Sequence, residues 1–556
     1  MNGGLRELLL DVSTLRARQD EPPATFAGLK QRLNQDLDTF ARALNSEGYY
    51  GHRLLQRIDR AADPAQVIVE VLPGPRYRLD AVTLDFGGQD IEGMAQIRED
   101  LDLTIGAPAT AQRIIAAQTR LERSLPRHGY PLADMRPRRV VVDHATQAMR
   151  VTYRAAPGPR LAFGDLDFTG ADRVDREFLR RLIPWQEGEL FDADALEAYR
   201  RTVSRTGLFG LVEIAYGAPQ DGRLPMTLQL TAAEHRTVSV AAKYSTSEGP
   251  SVEVTWEHRN FLGQGERFDV TGVLAELEQG LRIGFDKPHF RRPNQDLLLG
   301  LELIREDTDA FEALRATLLA GLQRPFGEQW IGNAGVELEV SQIDDKATGQ
   351  ETFFILGALP VSARFDATDN LLDPRQGARV TVRTIPHIVD GDSVFGFFKG
   401  ELIASGYIPI DDEERYIVAL RTRIGSITGV DTLSIPATRR FFAGGGGSVR
   451  GFEFQEVGPE DADGNPIGGR SVIEYGVELR WRAFGNFGIV PFVDAGNVFF
   501  DSVPRLDRFG SLRYGAGIGV RYYTGFGPIR LDVATPIDRR EGEFPVQVYI
   551  SIGQSF

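Results

Sequence analysis

The chain has no cysteine among its 556 residues, which excludes a disulfide scaffold and thiolate metal sites. The absence suits an oxidising compartment, where an unpaired thiol is a liability. No window approaches the roughly 20 apolar residues of a membrane helix; even Leu297-Leu298-Leu299-Gly300-Leu301 is followed at once by Glu302. The opening, Met1 to Asp11, lacks the apolar core of a secretory signal, so export would require a signal that the given start omits. Positive charge is also short. The formal net charge of -15 disfavours nucleic acid as a partner, because phosphate binding needs clustered Lys and Arg. Seven histidines, at 52, 128, 144, 235, 258, 289 and 387, show neither metal-ligand spacing nor a Gly-x-Ser-x-Gly context. No metal, cofactor or catalytic residue is expected, although a hydrolase assembled from Ser and His on distant strands stays open.

Glycine and phenylalanine, by contrast, are plentiful, with 60 and 33 residues. They concentrate in Phe441-Phe442-Ala443-Gly444-Gly445-Gly446-Gly447-Ser448-Val449-Arg450-Gly451-Phe452, inside an interruption over 428–470 between alternating strands. Structureless loops become uncommon beyond about 12 to 15 residues. Phe441, Phe442, Val449, Phe452 and Phe454 would be costly to leave in water, which predicts an ordered loop folded back onto the protein.

The first 234 residues repeat. Pro73-Gly74-Pro75-Arg76 recurs 84 residues later as Pro157-Gly158-Pro159-Arg160, each copy between two strand-like runs. Amphipathic helices are predicted over Phe26 to Leu44, Ala111 to Leu125 and Ala193 to Val203. Each is followed by a glycine and an aromatic within two residues, at Gly48-Tyr49, Gly129-Tyr130 and Gly207-Leu208-Phe209, the composition of a left-handed helix cap. Three α+β modules of strand, helix, helix, strand, strand are therefore expected over 1–75, 76–158 and 159–234, the first without its opening strand.

From 235 to 556 the period changes to two. In Val472 to Ala483, Ile473, Tyr475, Val477, Leu479 and Trp481 oppose Glu474, Glu478, Arg480 and Arg482. Leu512, Tyr514, Ala516, Ile518, Val520 and Tyr522 oppose Arg513, Gly515, Gly517, Gly519 and Arg521, and Val546, Val548, Ile550, Ile552 and Phe556 share one parity against Gln547, Ser551, Gly553 and Ser555. Sixteen strands are predicted, from 236–247 to 545–555, mostly reaching the roughly 9 to 11 residues of a tilted membrane-crossing strand. Short turns at one end and long loops at the other fit a 16-stranded antiparallel transmembrane barrel better than a soluble sandwich.

Small strand-helix-helix modules, a sixteen-stranded barrel, Val449-Arg450-Gly451-Phe452 after strand 11 and a terminal Phe556 together resemble the BamA/TamA outer-membrane assembly superfamily. The modules resemble POTRA domains. Three of them, and Arg440-Phe441-Phe442-Ala443-Gly444-Gly445 before Ser448, are more similar to the TamA branch than to the five-module BamA branch. The resemblance implies a bacterial outer-membrane protein with periplasmic modules that helps other barrels or autotransporters insert. It also implies partners: unfolded outer-membrane clients and an inner-membrane-anchored TamB-like protein. It carries Arg450 into the lumen, against inward carboxylates best matched by Glu478 and Asp494. An arginine fork can grip carboxylates bidentately where lysine cannot. The turn Asp366 to Gly377 matches a family pattern, yet Asp, Pro and Gly also build ordinary turns. Glu456 to Asp463 is expected to be a solvated outer face.

The implied mechanism is physical. Opening a seam between Thr237–Tyr244 and Val546–Phe556 exposes strand edges that a client strand could pair with. Gly553 and Ser555 would leave the last strand little inner packing, and cysteines at Ser239 and Gln547 are expected to lock the seam. The rival reading is a two-partner secretion transporter exporting a soluble substrate, which carries two modules; a passive porin would need none.

Overall fold

The computed structural model describes residues 3–62, 65–505, 511–525, 527–552 and 554. It divides into two compact units, the modules and the barrel, with 172–178 and 206–208 grouped with the barrel.

The modular unit holds three small sheets. Helices α1 (Gly3–Asp11), α2 (Thr14–Ala17) and α3 (Phe26–Ser46) accompany the hairpin β1 (Arg53–Asp59) and β2 (Gln66–Leu72). The second set is β3 (Arg78–Asp85), α4 (Met94–Asp100), α5 (Ala111–Arg127), β4 (Asp134–Asp143) and β5 (Ala148–Ala156), in sheet order β3-β5-β4 with β3 parallel to β5. The third is β6 (Ala162–Thr169), α6 (Arg176–Arg181), α7 (Ala193–Arg205), β7 (Phe209–Tyr216) and β8 (Arg223–Ala232), ordered β6-β8-β7 with β6 parallel to β8. The three long helices begin where their apolar period begins and run two residues past it. Gly48 and Gly129 end α3 and α5 with φ of 90° and 91°. The chain then turns back, so that the Tyr49 and Tyr130 amides donate to Leu44 and Leu125 at 2.9 and 3.0 Å, a helix closure that needs a left-handed residue. Each helix buries one stripe: Ile114, Ala117, Leu121 and Leu125 of α5 share a core with Met149, Val151 and Tyr153 of β5.

In the second unit, seventeen strand segments among the described residues close into a barrel. Two of them, Gln350–Ala358 and Val361–Asp366, both pair with Trp330–Asp345 on one side and Gly377–Asp390 on the other, so they are successive halves of one strand. The barrel is thus sixteen-stranded and antiparallel. The interruption falls at Leu359-Pro360, where proline cannot donate to a ladder. Barrel strand 12 (Ser471–Phe484) shows which way the wall faces: Val477 and Trp481 are 48% and 37% exposed, while Glu478 and Arg480 are 0% and 1% exposed. Apolar outside and charged inside is the arrangement that lipid requires and a soluble sandwich forbids. Aromatic pairs, Trp256–Phe268, Trp330–Phe365, Tyr416–Trp481 and Phe487–Tyr522, ring the end at which the chain enters the barrel, as expected of an interfacial girdle.

Candidate functional site

The loop between barrel strand 11 (Tyr416–Thr428) and strand 12 spans 429–470 and folds into the lumen. Phe441, Ala443, Val449, Phe452 and Val457 are buried there together with Ile427, Val472 and Val498 of the wall. Charged pairs fix the loop at several heights. Arg439 donates to Glu337 and Glu339 at 2.5 and 2.6 Å, and Arg440 to Asp345. On strand 11, Arg421 donates to the Gly447 and Ser448 carbonyls, while Ser448 Oγ donates to Glu474 at 2.8 Å. The acidic stretch is not wholly solvated. Glu456 is half-buried, and Asp461 spends its carboxylate on the Asp463 and Asn465 amides of its own turn.

Arg450 sits at the centre of this arrangement, 1% exposed. Its Nε and Nη2 donate to the two oxygens of Asp494 at 2.6 and 3.0 Å, and its backbone N–H donates to the same carboxylate at 3.2 Å. Nη1 donates to Glu478 at 2.8 Å and to Asp532 at 3.1 Å. The guanidinium also lies 3.5 Å from the centre of the Phe492 ring, where a cation meets the negative face of the π-system. Glu478 and Asp494 come from strand 12 and strand 13 (Phe487–Phe499), as strand parity requires. Asp532, on strand 15 (Gly527–Pro536), is a third carboxylate that the sequence reading did not single out. Its signal was present, since Ile529, Leu531 and Val533 face outward and thereby turn Asp532 inward. Arg480 and Arg521 complete the network, Arg480 donating to Glu478 at 2.9 Å and Arg521 to Asp532. Burial this deep is tolerable only because each carboxylate is met by several donors.

Glycine makes room for the motif. Strand 14 (Arg513–Thr524) presents Gly515, Gly517 and Gly519 to the lumen, and a Cβ at Gly515 would collide with the Arg450 carbonyl oxygen. Gly451 has φ of 105°, and a Cβ there would come within 2.9 Å of the Thr535 carbonyl carbon. No side chain fits either position.

The last described strand, strand 16 (Gln547–Ile552), closes the barrel against the first (Arg236–Ser245). Among the described residues their ladder has two paired positions, Tyr549 with Ser245 and Ile550 with Tyr244, whereas the first strand pairs with the second at ten. The Thr246 amide to Val548 at 3.0 Å and the Thr246 hydroxyl to Gln547 supplement it. Val546, Ile550 and Ile552 are exposed on the outer face and Val548 half-exposed. Gly553, Ser555 and Phe556 lie outside the described residues. The expectation of little inner packing at Gly553 and Ser555 thus falls outside the described residues, while the described inner residue Tyr549 is 2% exposed and contacts the loop motif. The register also moves the crosslinking position. Ser239 lies six residues before Ser245, so it does not oppose Gln547.

The turn 366–377 enters the other mouth of the lumen. Asp369 accepts the Arg375 and Gln376 amides and Asn370 the Leu372 and Asp373 amides, which accounts for the local Asp and Asn. Asp373 then accepts from Arg482 and from Gln554 beyond the last strand. The turn is therefore tied both to the wall and to the chain at the seam.

Comparison with known proteins agrees with this geometry. The Omp85 superfamily domain matches residues 260–556, more than half of the chain. The chain belongs to the Omp85 superfamily. Residues 161–232 of this Omp85 protein match the POTRA family, described as a surface antigen variable number repeat. The chain is similar to the outer membrane protein assembly factor BamA of Neorickettsia risticii, 21% identical over 92% of this chain and 71% of that protein. It is likewise similar to BamA of Nitratidesulfovibrio vulgaris, 23% identical over 90% of this chain and 65% of the other. It therefore spans about two thirds of the length of these relatives. Among solved structures, BamA from Haemophilus ducreyi lacking POTRA domains 1–3 superimposes with a TM-score of 0.73 at 17% identity, covering 86% of this chain and 99% of that one. This Omp85 protein is accordingly an outer-membrane β-barrel with POTRA domain structure on the periplasmic side.

Proposed function

We propose that this Omp85 protein assembles outer-membrane β-barrels by offering a client strand the edge of its own first strand. The observation that carries the reading is the seam: among the described residues two paired positions close it, against ten across the neighbouring hairpin. Strand residues 236–243 consequently have no partner on that side among the described residues. Unpaired backbone groups in lipid cost several kcal/mol each, so an incoming strand that pairs with them is stabilised there and can be passed on into the bilayer. The Arg450 loop keeps the lumen filled while this happens. No covalent step is involved.

The finer assignment we propose is to the TamA branch, acting on autotransporters and other barrel clients with an inner-membrane-anchored TamB-like partner. The run Arg440 to Gly445 before the Ser448-Val449-Arg450-Gly451 motif supports it.

The test uses cysteines at Tyr244 and Ile550, which are opposed in register. Oxidation of the purified protein in proteoliposomes is expected to abolish insertion of a barrel client, and reduction to restore it. Undiminished insertion with the seam locked would sink strand templating.

A further inference from the structure

A cavity of 570 Å³ lies in the lumen beside the inward loop, lined by none of the Arg450 network. Its wall comes from strand 9 (Gly377–Asp390), strand 10 (Val394–Pro409) and strand 11, and the loop supplies Arg439 and Gly447. In a chain of net charge -15, the fixed charges that line it are Arg383, Lys399, Arg421, Arg423 and Arg439 against Glu401 alone. Ile385 and Ile403 are its only apolar side chains among the described residues, so it suits a water-soluble anion and not a lipid.

Carboxylates of the lining and behind it answer most of this charge. Glu474 takes Arg421 at 2.7 Å and Arg423 at 3.0 Å, Glu401 takes Arg423 at 2.8 Å, and Glu337 and Glu339 take Arg439. Arg383 is half-exposed, and its ion pair with Glu401 is long, at 3.7 Å. Among the described residues Lys399 pairs with no carboxylate; it donates to the Arg439 carbonyl at 2.9 Å and lies 4.4 Å from the centre of the Phe441 ring. Two buried nitrogens of the lining, His387 Nε2 and Arg439 Nε, have no hydrogen-bond partner there. His387 is 6% exposed, and its Nδ1 meets the Ile385 carbonyl at 2.8 Å. A carbonyl only accepts, so the ring donates at Nδ1 and Nε2 of the neutral imidazole is left as an acceptor. Buried polar atoms are ordinarily satisfied; these two and Lys399 are open to a ligand.

We infer that this lumenal cavity binds phosphate. Hydrogen phosphate carries both kinds of group that the lining asks for: oxygens that accept from Lys399 and Arg383, and an O–H that donates to His387 Nε2. Lys399 also holds the Arg439 carbonyl, and Arg421 holds the Gly447 and Ser448 carbonyls. An occupant therefore ties the wall to the inward loop and stabilises the loop in place. The inference is confined to this cavity and does not depend on how the barrel treats its clients.

The experiment titrates the full chain in detergent micelles, at physiological salt, with inorganic phosphate and with sulfate, a dianion of the same shape that has no O–H at neutral pH. Saturable phosphate binding is expected, together with a raised unfolding temperature, as a ligand of the folded state requires. Sulfate should bind several-fold more weakly, and His387→Phe, which keeps the ring stacked on Phe397, should remove that preference. Arg383→Gln should weaken phosphate binding on the order of tenfold, and Lys399→Gln at least as much. Lys243→Gln, on the first strand and outside this cavity, should bind like wild type. Because the Arg383 ion pair is long, its variant should unfold at the wild-type temperature when no phosphate is present, which is the check on folding. Absence of saturable binding, equal affinity for phosphate and sulfate, or wild-type affinity in Arg383→Gln overturns the proposal.

Discussion

Tyr549 on the last barrel strand is joined to Phe452 of the inward loop, its hydroxyl donating to the Phe452 carbonyl at 3.3 Å while accepting the Gly451 amide at 3.1 Å. The seam strand and the Val449-Arg450-Gly451-Phe452 motif are thus one structural unit. Among the described residues this strand pairs with strand 15 at six positions and with the first strand at two, and the loop supports it from inside at Tyr549.

Replacing Tyr549 with Phe keeps the ring and removes the hydroxyl. The buried Gly451 N–H then loses its partner, a cost of about 1–3 kcal/mol. Limited proteolysis should cut the loop sooner, and the disulfide yield between cysteines at Tyr244 and Ile550 should fall. Unchanged yield would mean that the loop does not brace the seam.

Arg450→Ala leaves Asp494, Glu478 and Asp532 without the cation they share, a loss on the order of 3–5 kcal/mol for a broken buried pair. The barrel should lose its compact, fast-migrating form at lower temperature on heat-modifiability gels, and client insertion should fall. Arg450→Lys keeps the charge but not the fork, so it should fall between wild type and Arg450→Ala.

Gly515→Ala tests packing without touching charge. Its new methyl would meet the Arg450 carbonyl oxygen, a backbone atom that no rotamer change can move. The loop should be displaced as in Arg450→Ala. Gly447→Ala, where a Cβ would meet nothing within 4 Å, should migrate like wild type.

In the second module, the Asp100 carboxylate accepts from Ser124 Oγ at 2.5 Å and pairs with His128 at 3.1 Å. The Ser124 hydrogen bond, with His128 beside it, holds its pKa below the ordinary Asp value. A depressed folded-state pKa contributes stability above the unfolded value, about 3.9, and loses it as pH falls through the folded value. The contribution is small because the group is partly exposed. Protection factors of the α5 amides, compared between wild type and Asp100→Asn, should differ at pH 6 and converge towards pH 3.

Much of this is legible in the amino-acid sequence. Alternation is local, so the strand Val472 to Ala483 announced both its apolar outside and its inward Glu478 and Arg480. The helices were legible for the same reason: Ile114, Ala117, Leu121 and Leu125 recur at helical spacing, and Gly129 marks the end. Asp532 and Tyr549 were harder. Each sits at an inward position that parity defines, but parity cannot say which of many inward groups meets a loop eighty or more residues away in sequence. The split of strand 8 at Pro360, and the half-buried Glu456, likewise depend on neighbours distant in the chain.

The amino-acid sequence by itself determined the period, the face and the end of nearly every element, because those follow from how one stretch of backbone repeats. Only the tertiary structure decided the register of the seam and the three-carboxylate grip on Arg450. Closing a barrel and packing a loop inside it are contests among distant surfaces, settled by which charges can be neutralised together and which backbones have room to approach.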